Sequence, residues 1–481
     1  MQPAPSVYLV FWSLLSLSAH AFAAPPAPIA LHPENPHYFL WRGRPTVLVT
    51  SGEHYGAVLN LDFDYVRYLD ELQAKGLNHT RTFSGVYREI PSSFGITDNP
   101  LAPKPLRYVC PWARSAVSGY FDGGNKFDLT SWDAQYFRRL RDFMAHAQRR
   151  GVVVEMNLFC PMYNDALWKA CPMHVANNVN GVGDVGREEV YTLKHQSLLD
   201  VHIAVTRKIV AELAEFDNLY YEVCNEPYFG GVTLPWQHRI VDTIVEAEKD
   251  FPHKHLISMN IANGRKKVED PHPAVSIFNF HYCTPPDTVD LNYRLNRVIG
   301  ENETGFRGRE DVLYRTEGWM FLLAGGGLYN NLDYSFTPEH PGGTRTDYKS
   351  PGGGSAALRA QLRILKEFLE GFDFVRMAPD REAVRRVRPE CPWRALGQRG
   401  KAYAIYLHVP LPQKPKNLAE LVGKPRTVEI TVQLPRGQYR AEWVDPKSGQ
   451  VVRGQQIVGG GEQALRSPEF TEDMALRMRR D

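Results

Sequence analysis

The chain has 481 residues, of which 43% are apolar and 23% are charged, a composition typical of a large globular protein. Its 56 basic and 54 acidic residues leave a net charge of +2, so no broad electrostatic field favours nucleic acid or an anionic membrane as a partner. The length suggests two domains, because an α/β barrel can use about 250 residues or more as one domain.

The N-terminal segment is expected to direct export. Residues 1–23 contain no Asp, Glu, Lys or Arg, and an apolar run ends in Ala21-Phe22-Ala23. This pattern predicts a signal peptide cleaved after Ala23 and a secreted or periplasmic product. The segment has no basic residue at its start, so an uncleaved anchor is the alternative. Elsewhere, no stretch approaches the roughly 20 apolar residues of a membrane span.

Six cysteines would permit disulfides in an exported protein. Their spacing matches no zinc pattern. A pair between Cys160 and Cys171, or between Cys110 and one of these two, is one expectation, and buried free thiols are an equal alternative.

Eight β-rich runs alternate with helical patterns. The runs span residues 45–51, 77–83, 152–159, 218–224, 255–260, 274–281, 297–303 and 328–335. Strand, helix, strand repetition with strands buried on both faces indicates a parallel sheet. A doubly wound open sheet is the competing fold, but no Gly-x-Gly-x-x-Gly follows the first strand. We therefore predict a (β/α)8 TIM barrel over residues 24–374.

After a last predicted helix at 357–372, the hydrophobic pattern changes. The runs KAYAIYLHV, RTVEITVQL, GQYRAEWVD and GQVVRGQQI alternate apolar and polar residues with a period of two. This alternation predicts a small all-β domain, an antiparallel sandwich over residues 388–481, with Met377 to Arg388 as the connecting segment.

Acidic residues end two of the predicted barrel strands. Asn225 and Glu226 follow strand four, and Glu301 and Glu303 end strand seven. In a parallel barrel the C-terminal strand ends carry the catalytic groups. Two carboxylates facing each other there suit cleavage of a glycosidic bond, since one protonates the leaving oxygen and the other attacks or activates water.

At these motifs the chain resembles clan A glycoside hydrolases of the cellulase-like, family 5-like type. The matching stretches are Tyr-Glu-Val-Cys-Asn-Glu-Pro ending at Pro227, His281-Tyr282, and GENETGF over residues 300–306. The resemblance covers roughly residues 36–372. GGGLYNNLDYSFT and the C-terminal part also resemble secreted cellulase-like proteins that carry a collagen-binding-type tail domain. The resemblance implies retaining hydrolysis of a carbohydrate substrate without a cofactor.

The same resemblance implies roles for individual residues. Glu226 is the acid/base, and Asn225 contacts the sugar 2-hydroxyl. Glu301 matches an Ile-Gly-Glu ending, whereas Glu303 matches an Asp-Glu-Thr-Gly-Phe ending, so either is the nucleophile. Residues two apart in a strand point to the same side, and Glu303 is preferred because it lies nearer the rim. A retaining mechanism expects the two carboxyl groups about 5–5.5 Å apart.

Further residues have a functional and a structural interpretation. His281 and Tyr282 match a substrate-binding pair of the family, or they pack in the core. His54 and Tyr55 line the sugar subsite, or they pack the first loop. Arg81 either holds the strand-seven carboxylate ionised or forms a structural ion pair.

Aromatic faces suit the apolar faces of sugar rings, so Tyr163, Tyr228 and Tyr334 are also predicted to contact substrate. Glu222 lies on the same side of strand four as Glu226 but deeper, which favours a buried partner of Arg or Lys.

Two other classes of protein compete with the glycosidase. One is a non-catalytic carbohydrate-binding or surface-adhesion protein on an inactive barrel, which the glutamate pair argues against. The other is a metal-dependent barrel hydrolase, for which only His281, His54 and Asp333 are available as ligands. The choice of sugar depends on loops, particularly the insertions at 84–130 and 161–195, and the sequence specifies neither the sugar nor endo or exo action.

Overall fold

The structure, a computed structural model, describes residues 1, 4 and 27–481. The predicted leader, apart from residues 1 and 4, lies outside the described residues. In the described part of the chain, no helix is both long and apolar enough to cross a membrane.

Eight parallel strands form a nearly closed barrel. In chain order they are β1 (Leu48–Gly52), β2 (His79–Phe83), β3 (Val153–Phe159), β4 (Leu219–Cys224), β5 (Leu256–Asn263), β6 (Val275–His281), β7 (Val298–Glu303) and β8 (Leu328–Leu332). The strands pair in sequence from β2 through β8 to β1. Beside the remaining seam, Asn78 N donates to Val49 O at 3.3 Å. Each predicted run overlaps one barrel strand, so the (β/α)8 prediction is confirmed.

Helices lie between the strands along the chain. They are α1 (Tyr65–Ala74), α2 (Ala134–Arg149), α3 (Asp165–Ala170), α4 (Gln196–Leu213), α5 (Leu234–Glu248), α6 (Asp287–Asn292), α7 (Asp311–Leu323) and α8 (Ala356–Glu370). Helix α2 shows how the sequence specifies them. Asp133 accepts hydrogen bonds from the first-turn N–H groups and caps the helix, and Leu140, Phe143 and Met144 bury one face in the core.

Shorter elements extend both ends of the barrel. Three short strands, Ala30–Leu31, Phe39–Trp41 and Arg44–Thr46, form an antiparallel sheet before β1. Their apolar side chains join a core cluster with the first residues of several barrel strands, so this sheet closes the N-terminal end. The insertion after β2 contains a hairpin, Trp112–Ser118 with Asn125–Trp132.

The interior of the barrel below its mouth is polar. Tyr220 Oη donates to Glu155 Oε2 at 2.7 Å, and Asn302 Nδ2 donates to Glu155 at 2.7 Å and to Glu222 at 2.8 Å. Arg81 forms an ion pair with Glu222, as expected for a carboxylate deep in the barrel. Buried charges of this kind are stable only when they are paired and hydrogen-bonded.

The C-terminal part is an antiparallel sheet. Its strands are β9 (Ala378–Pro379), β10 (Val384–Arg388), β11 (Trp393–Gln398), β12 (Ala402–His408), β13 (Glu429–Val444), β14 (Val451–Arg466) and β15 (Asp473–Arg480), with α9 (Leu418–Val422) before β13. The first half of β13 pairs with β10 and the second half with β15. The sheet therefore has two parts, and side chains from both form one apolar core, as in the predicted all-β domain.

The segment expected to connect the two regions belongs to the sheet instead. Met377 to Arg388 contains β9 and β10, and Val384 lies buried opposite Val432. The sheet then packs on helix α7, where Trp319 stacks on Tyr406 with ring centroids 5.0 Å apart.

All six cysteines lie within residues 27–481 and are free and buried. The expected pair of Cys160 with Cys171 is not formed. Cys160 Sγ lies 3.6 Å from Asn225 Nδ2, whereas Cys171 Sγ contacts Val86 O at 3.4 Å, so the two thiols have separate partners.

Candidate active site

Two glutamates from opposite strands of the barrel converge at its mouth. Glu226 follows β4, Glu303 ends β7, and the two are only 7% and 8% exposed. One carboxylate oxygen of Glu226, one of Glu303 and a ring nitrogen of His281 all lie within 4.8 Å of one another. The carboxyl groups of Glu226 and Glu303 are therefore close together at the barrel mouth, with His281 beside them.

The backbone is strained around this pair. Tyr55, Glu226, Tyr282 and Phe306 have φ values of 55°, 36°, 55° and 59°, a region that bulky side chains rarely adopt. All four residues line the same pocket. Strain of this kind costs about 1–3 kcal/mol per residue and is found mostly at functional sites.

Three donors converge on the Glu303 carboxylate. Tyr55 Oη donates to Oε2 at 2.8 Å, Tyr282 Oη donates to Oε1 at 2.5 Å, and Arg81 Nη1 lies 3.4 Å from Oε2. These contacts orient the carboxylate and stabilise a negative charge on it.

Glu226 is surrounded by a different set of donors. Tyr163 Oη donates to Oε2 at 2.6 Å, Tyr228 Oη donates to Oε1 at 3.2 Å, and His281 Nδ1 lies 3.2 Å from Oε1. Burial alone would raise the pKa of Glu226, but the hydrogen bonds and the charge of His281 lower it below its ordinary value.

His281 links the two glutamates. Its Nδ1 lies 3.2 Å from Glu226 Oε1 and 3.7 Å from Glu303 Oε1. Burial lowers the pKa of His281, but the charges of both glutamates outweigh this and raise it.

Arg81 contacts carboxylates at two depths of the barrel. It contacts Glu303 in the pocket, and its Nη2 donates to Asn225 Oδ1 at 2.8 Å and also binds Glu222. Asn225 Nδ2 in turn donates to Tyr163 Oη at 2.8 Å. Arg81 and Asn225 thus connect the surroundings of the two pocket glutamates.

A β-bulge separates Glu301 from the pocket. In the pairing of β6 with β7, Phe280 lies opposite Glu301 and the next residue, His281, lies opposite Glu303. Asn302 is therefore an extra residue, and a bulge of this kind breaks the alternation of side chains. The expectation that Glu301 and Glu303 point to the same side is wrong.

The surroundings of Glu301 are those of a buried acid outside the barrel mouth. Cys283 N donates to its Oε1 at 2.5 Å. Burial, together with the nearby carboxylate of Glu317 on α7, raises the pKa of Glu301 well above its ordinary value. The structure therefore leaves Glu303 as the strand-seven carboxylate in the pocket.

The pocket has a volume of about 230 Å³ and brings together most of the predicted residues. Those that line it are His54, Tyr55, Tyr163, Asn225, Glu226, Tyr282, Glu303 and Tyr334. Of the remaining four, Arg81, His281 and Tyr228 contact the two glutamates directly, and Glu301 lies outside the pocket.

Sequence reasoning missed one side of this pocket. Glu89, Ile96 and Leu101 from the insertion after β2 line it, as do three phenylalanines, Phe94, Phe229 and Phe306. Glu89 Oε1 lies 3.3 Å from His54 Nε2. The only available signal was an acidic residue in a loop, which does not distinguish a pocket from a solvated surface.

The metal ligands considered from sequence do not come together. Asp333 Oδ2 forms an ion pair with Arg359 at 2.7 Å, and His54 contacts Glu89. Glu226, His281 and Glu303 form the one described cluster with the spacing of a cation site.

Solved structures that resemble this chain include glycoside hydrolases. A candidate glycoside hydrolase from Bacteroides vulgatus ATCC 8482 has a TM-score of 0.64 at 14% identity, over 95% of this chain and 82% of its own. A glycoside hydrolase family 5 protein from the same organism has a TM-score of 0.60 at 12% identity, over 94% of both chains. Such coverage includes the barrel and the C-terminal sheet, so the chain shares their fold.

Sequence comparison adds a narrower match. Residues 103–272 match a family described as a domain of unknown function, DUF6298. No curated protein matches the chain.

Proposed function

We propose that this protein is a retaining glycoside hydrolase that cleaves O-glycosidic bonds of an oligosaccharide or polysaccharide. The convergence of Glu226 and Glu303 in one pocket carries the proposal. The glycoside hydrolases that share the fold support the same reaction class.

The reaction takes place in two steps. In the first, Glu303 attacks the anomeric carbon while Glu226 donates its proton to the departing oxygen, which gives a glycosyl ester of Glu303 and a free alcohol. In the second, Glu226 accepts a proton from water as that water attacks the anomeric carbon, which releases the sugar and restores both glutamates.

The surrounding residues orient the nucleophile and position a contact to the substrate. Tyr55, Tyr282 and Arg81 fix the nucleophilic oxygen of Glu303 and keep it oriented. Asn225, held by Arg81 and Tyr163, is positioned to contact the 2-hydroxyl, where hydrogen bonds strengthen in the transition state.

A metal-dependent reaction is the second candidate, because Glu226, His281 and Glu303 have cation-site spacing. The Arg81 guanidinium already contacts Glu303, and a cation beside it would be repelled. We therefore favour the glycosidase without a metal.

Glutamine substitutions test the proposal. On whichever aryl glycoside of a broad panel the wild type hydrolyses, we expect Glu226→Gln to lower turnover by about 10²- to 10⁴-fold, the usual contribution of an acid/base group. Glu303→Gln should lower it at least as much, because the covalent step is lost.

Glu301→Gln is the matched control, since it removes a buried carboxylate two residues from Glu303 that faces α7. We expect it to retain turnover within a few-fold. Absence of hydrolysis across the panel, or full activity of Glu226→Gln, would contradict the proposal. Activity that is lost with EDTA would instead favour the metal-dependent reaction.

A further inference from the structure

The two sides of the pocket differ in exposure. Behind Tyr55 and Glu303, the wall contains His54, Glu89 and Leu101, all buried. At the mouth, Phe94, Phe229 and Phe306 are 48%, 44% and 49% exposed. The pocket is therefore closed at one end and open at the other.

Two insertions build the closed end together. The loop after β2 is joined to the loop after β8, because Thr97 N donates to Lys349 O at 3.0 Å and Lys349 N donates to Thr97 Oγ1 at 2.9 Å. Asp98 also forms an ion pair with Arg345. A polysaccharide extending past the nucleophile would have to displace these connected loops.

The closed end contains a buried polar cluster around Glu89. Asn99 Nδ2 donates to Glu89 Oε2, Tyr87 Oη lies 3.4 Å from Oε1, and His54 Nε2 lies 3.3 Å from the same oxygen. His54 is 8% exposed, and its Nδ1 has no hydrogen-bond partner among the described residues. A buried polar atom without a partner costs about 1–3 kcal/mol, which points to a ligand that completes the cluster.

The direction of the substrate follows from the roles of the glutamates. The nucleophile lies beneath the sugar that it attacks, and the acid lies beside the departing group. Tyr55 contacts Glu303 and is next to His54, with ring centroids 5.4 Å apart, so the attacked sugar faces the closed end. Tyr228, which contacts Glu226, reaches exposed Asn263 at the rim, so the departing group faces the open end.

On the basis of the proposed function, we propose that the enzyme is exo-acting and removes a single sugar from the non-reducing end. Glu89 and His54 bind hydroxyls of that terminal sugar that are remote from its anomeric carbon. The cavity of about 230 Å³ is smaller than the roughly 300–1,000 Å³ of typical ligand pockets, which suits one sugar ring and not a chain. Exposed Phe229, whose ring centroid lies 5.0 Å from that of Tyr228, suits stacking of the departing sugar.

Product analysis tests this inference. The substrate is an oligosaccharide of about six units, labelled at its reducing end and built from the sugar that the aryl glycoside panel identifies. We expect the first products to be an unlabelled monosaccharide and a labelled chain one unit shorter. Early labelled fragments several units shorter would overturn exo action and leave the proposed glycosidase intact. Absence of cleavage of every glycoside would overturn the proposed function itself.

A variant tests the role of Glu89. We expect Glu89→Gln to lower kcat/KM for the aryl monoglycoside by about 10- to 100-fold, as for loss of a charged hydrogen bond to substrate. Glu248→Gln is the control, because Glu248 is equally buried and contacts His255 Nδ1 at 2.6 Å, outside the residues that line the pocket.

We expect the control to keep the wild-type kcat/KM. An unchanged kcat/KM in folded Glu89→Gln would overturn its assignment as a sugar-binding residue. If Glu89→Gln does not fold, the product pattern of the wild type decides the inference alone.

Discussion

The barrel contains two pairs of glutamates, one above the other, and they have different surroundings. Glu226 and Glu303 line the pocket at the mouth, whereas Glu155 and Glu222 lie below it and are fully buried. Arg81 contacts members of both pairs. Close carboxylates are therefore common to both pairs, and the difference is that the upper pair lines an open pocket that the lower pair does not reach.

The two pairs also differ in what holds them. Tyrosine hydroxyls and an imidazole bind the upper glutamates, and these donors lower the pKa of Glu226 despite its burial. The lower pair is bound by the side-chain amides of Asn279 and Asn302, by Arg81 and by one tyrosine hydroxyl, that of Tyr220. There burial dominates and raises the pKa of Glu222 from 4.5 to about 8, although the charge of Arg81 opposes it.

The lower pair is expected to act on stability and not on the reaction. Glu155 accepts hydrogen bonds from Tyr220 Oη at 2.7 Å and from Asn302 Nδ2 at 2.7 Å. In Glu155→Gln the new amide would face these donors, and a buried donor without an acceptor costs about 1–3 kcal/mol. We expect the free energy of unfolding to fall by this amount in denaturant titrations.

Substitutions in the two pairs should also differ in their effect on turnover. We expect Glu155→Gln to retain turnover within about tenfold, whereas Glu226→Gln loses about 10²- to 10⁴-fold and unfolds close to the wild type. Loss of turnover in Glu155→Gln with an unchanged free energy of unfolding would contradict a purely structural role for the lower pair.

A smaller effect is expected from one donor of the upper pair. Tyr228 donates to Glu226 Oε1 at 3.2 Å and so helps to lower the pKa of that carboxyl group. Without the hydroxyl, the pKa of Glu226 rises, and the protonated acid persists to higher pH. We expect Tyr228→Phe to shift the alkaline limb of the kcat/KM profile to higher pH.

The control for this shift is Tyr65→Phe. Tyr65 Oη also donates to a carboxylate, Asp142 Oδ2 at 2.6 Å, but on the outside of the barrel between α1 and α2. The Tyr65→Phe substitution should therefore leave the pH profile of kcat/KM unchanged. An alkaline limb that moves to lower pH in Tyr228→Phe would show that the hydroxyl does not stabilise the Glu226 carboxylate.

Much of the fold could be predicted because the barrel strands are short apolar runs at regular intervals. Strand β4 was predicted at 218–224 and observed at Leu219–Cys224, and its end placed Asn225 and Glu226 correctly at the barrel mouth. Local periodicity determines such elements, since each strand must bury apolar side chains against the helices outside.

The bulge at Asn302 and the closed end of the pocket depend on tertiary contacts. A strand pattern specifies strict alternation, and one extra residue that reverses it has no signature in GENETGF. Glu89 lines the pocket from a loop that is hydrogen-bonded to the loop after β8. Contacts between distant insertions leave no periodic pattern in the sequence.

In the proposed reaction, Glu303, opposite Glu226, forms a covalent bond with the sugar. A 2-deoxy-2-fluoro glycoside with a good leaving group slows the second step and traps the ester. After trypsin digestion, the peptide over residues 298–307 contains both Glu301 and Glu303, and tandem mass spectrometry distinguishes them. The structure predicts the sugar on Glu303, whereas an adduct on Glu301, or a product of inverted anomeric configuration, would contradict it.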